Sequence, residues 1–179
     1  IEDAVNVRAD RDLPLSVAIP AGEDRFPLFT LSPVRASGSR SYRYSYSVGM
    51  GDPENAAHDD SYLYLLPYEH GEKHRVTQGH NGDFSHFGEN QYALDFDLDV
   101  GAPIHAARGG LVVRVKEDSR VGGPSARYAS YGNAIMIAHD DGSFGNYVHL
   151  VHNGAVVEVG QAVEAGDLIG YSGSTGLAS

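Results

Sequence analysis

The chain has no cysteine, only two lysines (Lys73 and Lys116), and a shortage of positive charge: 13 basic against 24 acidic residues, a net charge of −11. Without cysteine there is no disulfide framework, and a chain without thiols is at home on either side of a membrane. The acidic balance opposes the basic patch through which proteins hold phosphates, so no nucleic acid partner is expected. No apolar run approaches the roughly 20 residues that span a bilayer, so no transmembrane segment is expected. No charged-then-apolar leader opens the chain at Ile1, which implies a cytosolic protein or one whose leader has been removed.

What is present is enough for a core: 41% of the 179 residues are hydrophobic, sufficient for one ordinary domain or two small ones. The 22 glycines and 8 prolines are spread along the chain, and the segments between them favour many short strands over helices. The fold class predicted is all-β. Ser41 to Ser47 alternates tyrosine with polar residues at period two, so Tyr42, Tyr44 and Tyr46 should share one face of a half-buried strand. Ser61 to Tyr68 reads as a second strand ended by Pro67, with the turn formers Gly49 to Asn55 as a surface loop between the two. Further on, Gly110 to Val115 and Asn133 to Ala138 read as aliphatic strands, Asp140-Asp141-Gly142 as a hairpin turn, and Glu117 to Tyr131 as a long loop. Glycines between Gly160 and Gly170 stand where tight turns need positive φ. These readings divide the chain into residues 1–75, a small N-terminal β domain, and 76–179, a β domain with a groove.

The second region carries an ordered set of motifs: Ser85-His86, Tyr92-Ala93-Leu94-Asp95-Phe96, Gly101-Ala102-Pro103, Ala106-Ala107-Arg108, Tyr147-Val148-His149-Leu150, and Ser172-Gly173-Ser174-Thr175-Gly176. In order, spacing and residue type this set resembles the lysostaphin/LytM-type zinc endopeptidases, which cut peptide cross-links of peptidoglycan. The resemblance implies an antiparallel β-sandwich or groove-type peptidase domain, incomplete at its C-terminal side. It also implies a peptidoglycan peptide as substrate and a periplasmic or extracellular location.

Hydrolysing a peptide bond needs a generated hydroxide and a polarised carbonyl, and a zinc ion with three protein ligands and one open position supplies both. In the family the first histidine ligand stands four residues before the aspartate; here that position is Gln91. The nearest upstream histidine is His86, in a Ser-His pair that resembles a subgroup motif. The resemblance therefore implies His86 and Asp95 as metal ligands, with the first ligand position left between His86 and Gln91. Nine residues of straight strand would hold the two about 30 Å apart, so the chain must double back, and Gly88-Glu89-Asn90 can supply the reversal. Asp95, flanked by Leu94 and Phe96, needs a cation close by, because burying an unpaired carboxylate is expensive.

His149 matches the family's Tyr-x-His-Leu position and is implied as the catalytic base, a role suited to a near-neutral imidazole. Strand alternation would put it on one face with Tyr147, and Val148 and Leu150 on the other. Asn90 and Tyr92 are candidate substrate-binding residues lining the groove. Arg108 reads as structural, His139 as a structural hydrogen-bonding residue and His105 as lying on an exposed strand face. His80 is a fallback ligand by proximity, and His58, His70, His74 and His152 have no assigned role.

The family's third ligand is the second histidine of a His-x-His segment, expected beyond Ser179. Either the polypeptide is cut short or the lineage is degenerate, and the intact Ser172 to Gly176 run favours the former. The alternative function is a non-catalytic relative that binds or activates other cell-wall hydrolases. The turn-rich run Gly160 to Gly170 also resembles biotinyl and lipoyl carrier domains, but these need a lysine at a hairpin tip, and none follows Lys116.

Overall fold

The computed structural model describes residues 2–20, 25–52 and 54–178. The chain forms two compact units, Ile1–Asn55 and Ala56–Ser179. In the first, strands β1 (Glu2–Val5), β2 (Val7–Ala9), β3 (Leu31–Pro33) and β4 (Ser41–Arg43) form two antiparallel pairs, β1 with β4 and β2 with β3. The alternation expected across Ser41 to Ser47 is only partly realised. Successive rings of Tyr42, Tyr44 and Tyr46 lie 6.4 Å apart, as neighbours on one face must. Among the described residues no sheet covers that face, however: Tyr44 and Tyr46 are 63% and 79% exposed, and the strand itself ends at Arg43. Asp52 accepts from the backbone N–H of Glu54 within the expected loop; Pro53 of that loop lies outside the described residues.

The second unit contains β5 (Val76–Gln78), β6 (Asp95–Phe96), β7 (Pro103–His105), β8 (Gly110–Lys116), β9 (Gly122–Gly123) and β10 (Ala134–Ala138). These are followed by β11 (Phe144–Val148), β12 (Leu150–Ala155), β13 (Ala162–Val163), β14 (Leu168–Ser172) and β15 (Gly176–Leu177). A four-stranded sheet runs β11-β10-β8-β13 and a three-stranded sheet β12-β14-β7, all antiparallel. β5 pairs antiparallel with β6, and β9 with β15 forms one parallel exception. Among the described residues the only helical segments are two 3-10 turns, Gly88–Asn90 and Ala126–Tyr131. The loop expected from Glu117 to Tyr131 thus carries a strand and a turn of its own.

Both larger sheets feed one core. Ile104, Leu150 and Ile169 come from the three-stranded sheet, and Val112, Ile135, Ile137 and Val163 from the four-stranded one. Two sheets face to face with apolar residues between them are the stable way to bury a half-apolar strand. The hairpin turn predicted at Asp140-Asp141-Gly142 joins β10 to β11, with the N–H of Gly142 donating to the carbonyl of His139 over 3.1 Å. Gly160 and Gly166 sit at φ +91° and +92°, a region costly for any residue with a Cβ.

Two sequence expectations fail here. Ser61 to Tyr68 is not a strand: its N–H groups make isolated bonds instead of a ladder, such as Leu65 to the carbonyl of Ala107 over 2.9 Å. Arg108, almost fully buried, holds this segment; its guanidinium lies 4.1 Å over the Tyr62 ring and pairs with Asp141 at 2.7 Å and Asp140 at 2.6 Å. Ala57 donates to the carbonyl of Asp141 over 2.8 Å. These contacts bind residues 56 to about 66 to the second unit, so the division falls after Asn55, not near residue 75.

Candidate metal centre

The reversal between His86 and Asp95 is made by the Gly88–Asn90 turn. Gly88 is at φ +59°, Gln91 donates to the carbonyl of Gly88 over 3.3 Å, and Ala93 to that of Asn90 over 2.9 Å. Asn81 then ties to the carbonyl of Gln91 over 2.7 Å, clasping the two limbs of the loop. His86 Nε2 consequently stands 3.1 Å from Asp95 Oδ1, although nine residues lie between them.

The imidazole of His86 is buried, and its Nδ1 is 2.8 Å from the carbonyl oxygen of Gly79. A carbonyl only accepts, so Nδ1 carries a hydrogen, and in the neutral ring Nε2 then turns a lone pair to the carboxylate. Two electron-rich atoms facing each other need a proton or a cation between them. Two zinc ligands at about 2.0 to 2.2 Å and a tetrahedral angle stand about 3.4 Å apart, close to the 3.1 Å observed. A histidine whose far nitrogen is fixed by a carbonyl is the usual metal-ligating arrangement. The pair thus fits two ligands of a zinc centre. Among the described residues no group of three potential ligands exists.

Gln91 contributes its main chain to the loop, and Asn90 and Tyr92 are exposed beside it, Tyr92 at 70% with its ring edge-on to His80 at 5.8 Å. No hydrogen bond joins Asn90 or Tyr92 to the His86–Asp95 pair among the described residues.

His149 occupies a break between β11 and β12, at φ +65°. The expected alternation therefore fails at this residue: Val148 is exposed and Leu150 buried, because the backbone kink reverses the faces. Its Nδ1 donates to the carbonyl of Thr175 over 2.7 Å, which in the neutral ring leaves the lone pair on Nε2. Thr175 is in turn locked, its hydroxyl donating to the carbonyl of Leu150 over 2.7 Å and accepting from the N–H of Asn133 over 3.0 Å. Asn133, fully buried, donates to the carbonyls of Ser119, Leu150 and Val151 and accepts from the N–H of Ser119. Sequence reading placed Asn133 only as a strand's first residue; a polar residue opening an otherwise apolar run was the available signal. Gly176, at φ +83°, passes so close to Gly132 that a Cβ would lie 2.6 Å from its Cα. Only glycine leaves the Thr175 carbonyl where His149 meets it.

Three of the other histidines make structural contacts. His139 is buried with Nδ1 2.8 Å from the carbonyl of Gly109, and His105 makes the same contact to Gly166. His74 has both nitrogens facing acceptors, Glu72 Oε2 at 2.9 Å and the carbonyl of Asp97 at 3.2 Å. Its pKa is raised, chiefly by the Glu72 hydrogen bond. Ser143 hydrogen bonds, with help from Arg108, hold Asp141 well below the usual carboxylate range, and burial raises the Tyr147 phenol. A cavity of about 330 Å³ lined by Lys116, Asp118, Ser119, Arg120, Val121 and Tyr131 lies away from the His86–Asp95 pair.

Comparison with known proteins agrees with the second unit's motifs. Residues 89–179 match Peptidase family M23. The chain is 36% identical over 95 residues to glycyl-glycine endopeptidase ALE-1 of Staphylococcus capitis, covering 51% of this chain and 23% of that protein. It is 32% identical over 128 residues to lysostaphin of Staphylococcus staphylolyticus, covering 69% of this chain and 23% of lysostaphin. Among solved structures, the catalytic domain of lysostaphin from Staphylococcus simulans superposes with a TM-score of 0.41 at 28% identity, covering 59% of this chain and 70% of that one. The chain spans less than a quarter of the length of these two curated relatives. With its matched region covering half the sequence, the chain belongs to Peptidase family M23.

Proposed function

We propose that the protein is a zinc endopeptidase that hydrolyses peptide cross-links of bacterial peptidoglycan outside the cytoplasm. The observation that carries this reading is the 3.1 Å approach of His86 Nε2 to Asp95 Oδ1, in a chain of a peptidase family. The names of ALE-1 and lysostaphin support the substrate class. Among the described residues no helix is long and apolar enough to cross a membrane.

In this reading His86 and Asp95 are two of the ligands that hold the zinc ion. When bound, zinc supplies a water acidic enough to ionise near neutral pH and a Lewis acid for the scissile carbonyl. The chain's own part is orientation and proton handling. The Gly79 carbonyl keeps the His86 hydrogen on Nδ1, so Nε2 stays a lone-pair donor. The Thr175 carbonyl does the same for His149, whose Nε2 is then free to take the proton of the attacking water. Asn90 and Tyr92, exposed beside the loop, offer an amide and a phenol to the substrate backbone.

The test is His149→Ala in the full-length protein against purified peptidoglycan. Loss of a general base lowers turnover about 100- to 10,000-fold, and zinc content is expected to stay unchanged. Unaltered turnover removes His149 from the mechanism. A parent protein that binds peptidoglycan but neither hydrolyses it nor holds zinc supports the non-catalytic alternative.

A further inference from the structure

The end of β5 touches both members of the pair. Thr77 Oγ1 donates to the carbonyl of Asp95 over 3.3 Å, and the carbonyl of Gly79 holds His86 Nδ1. Between them, Gln78 Nε2 donates to Asp95 Oδ2 over 3.0 Å and to Ser85 Oγ over 2.9 Å, while its Oε1 accepts from the N–H of Phe84 over 3.1 Å. Every polar atom of the amide is used, and a carboxylate accepts but never donates, so the amide cannot flip. With Oδ2 held, the other oxygen of Asp95 is the one presented to His86.

A second observation concerns Gly82. A Cβ on Gly82 would lie 2.2 Å from Cγ, 2.7 Å from Cδ and 2.9 Å from Oε1 of Gln78. Its backbone needs no positive φ, so the constraint is purely spatial. Any larger residue there forces the Gln78 side chain or the backbone beside it to shift.

We propose that Gln78 is a positioning residue that aims the Asp95 carboxylate at the imidazole of His86, and that position 82 is glycine to leave Gln78 its place. The proposal rests on the zinc reading above and names what organises that site. Carboxylate ligands are themselves held by hydrogen bonds, and losing such a partner lowers metal affinity about 10- to 100-fold.

Zinc affinity of the full-length protein, measured by competition with a chelator, tests it, with melting of the metal-free form as the fold check. Gln78→Met, close in volume but without donors, is expected to bind zinc about tenfold or more weakly. Gly82→Ala, whose own backbone is unstrained, should weaken binding in the same direction. Ser85→Ala removes the amide's other acceptor and leaves the bond to Asp95, so its loss should be smaller. Parent-like affinity in both Gln78→Met and Gly82→Ala overturns the proposal, as does a Ser85→Ala loss equal to that of Gln78→Met. A parent protein without zinc affinity contradicts the zinc reading itself, and the proposal falls with it. The two failures are distinguished by the parent's own titration.

Discussion

The two units use similar sequence patterns to different ends. In the first, none of the described residues is buried. Its two-stranded ladders are pinned by side chains such as Asn6, which accepts from the N–H of Arg35 over 2.7 Å, and Asp10, which accepts from that of Thr30 over 2.9 Å. In the second, two sheets close over Val112, Ile135, Ile137, Leu150 and Ile169. A strand pattern becomes stabilising only when a second layer covers its apolar face; among the described residues the tyrosines at 42, 44 and 46 lack that layer and β10 has it.

Substitutions sharpen the contrast. Ile135→Ala removes a fully buried side chain between the sheets and is expected to cost about 2 to 5 kcal/mol, read from urea unfolding. A loss under about 1 kcal/mol would mean that the core is not where stability resides. A smaller effect belongs to His74. Its raised pKa means that the stability from its contacts with Glu72 and Asp97 is complete below the unfolded value of about 6.5 and is lost as pH rises through the higher folded value. Subtracting a His74→Phe unfolding series from the parent series across that window should isolate the decline; identical pH slopes would deny the imidazolium. The smallest effect belongs to the first unit: Tyr46→Ser, at a 79% exposed ring, should move stability by no more than about 0.5 kcal/mol. A large loss there would reveal a covering layer for the tyrosine face.

What the sequence disclosed followed the range of the forces involved. β8, β10, the Asp140-Asp141-Gly142 turn and the glycine turns at Gly160 and Gly166 rest on local chemistry and were legible. Residues 61–68 were misread as a strand because their conformation is set by Arg108 and Asp141, which lie far away in sequence. The unit boundary moved for the same reason. The His86–Asp95 approach could be anticipated from turn formers between them, whereas the kink at His149 could not, since it depends on the Thr175 carbonyl and the close pass of Gly176 against Gly132. Gln78 and Asn133 are common polar residues whose roles appear only once several segments converge on their amides.

The central claim is that one imidazole and one carboxylate, joined by the turn at Gly88–Asn90, share a cation. Zinc content of the purified full-length protein tests it directly, compared with His86→Ala and Asp95→Ala. The account predicts about one zinc per chain in the parent and a large loss in each variant, with the fold retained. Undiminished zinc in both variants, or none in the parent, would contradict it.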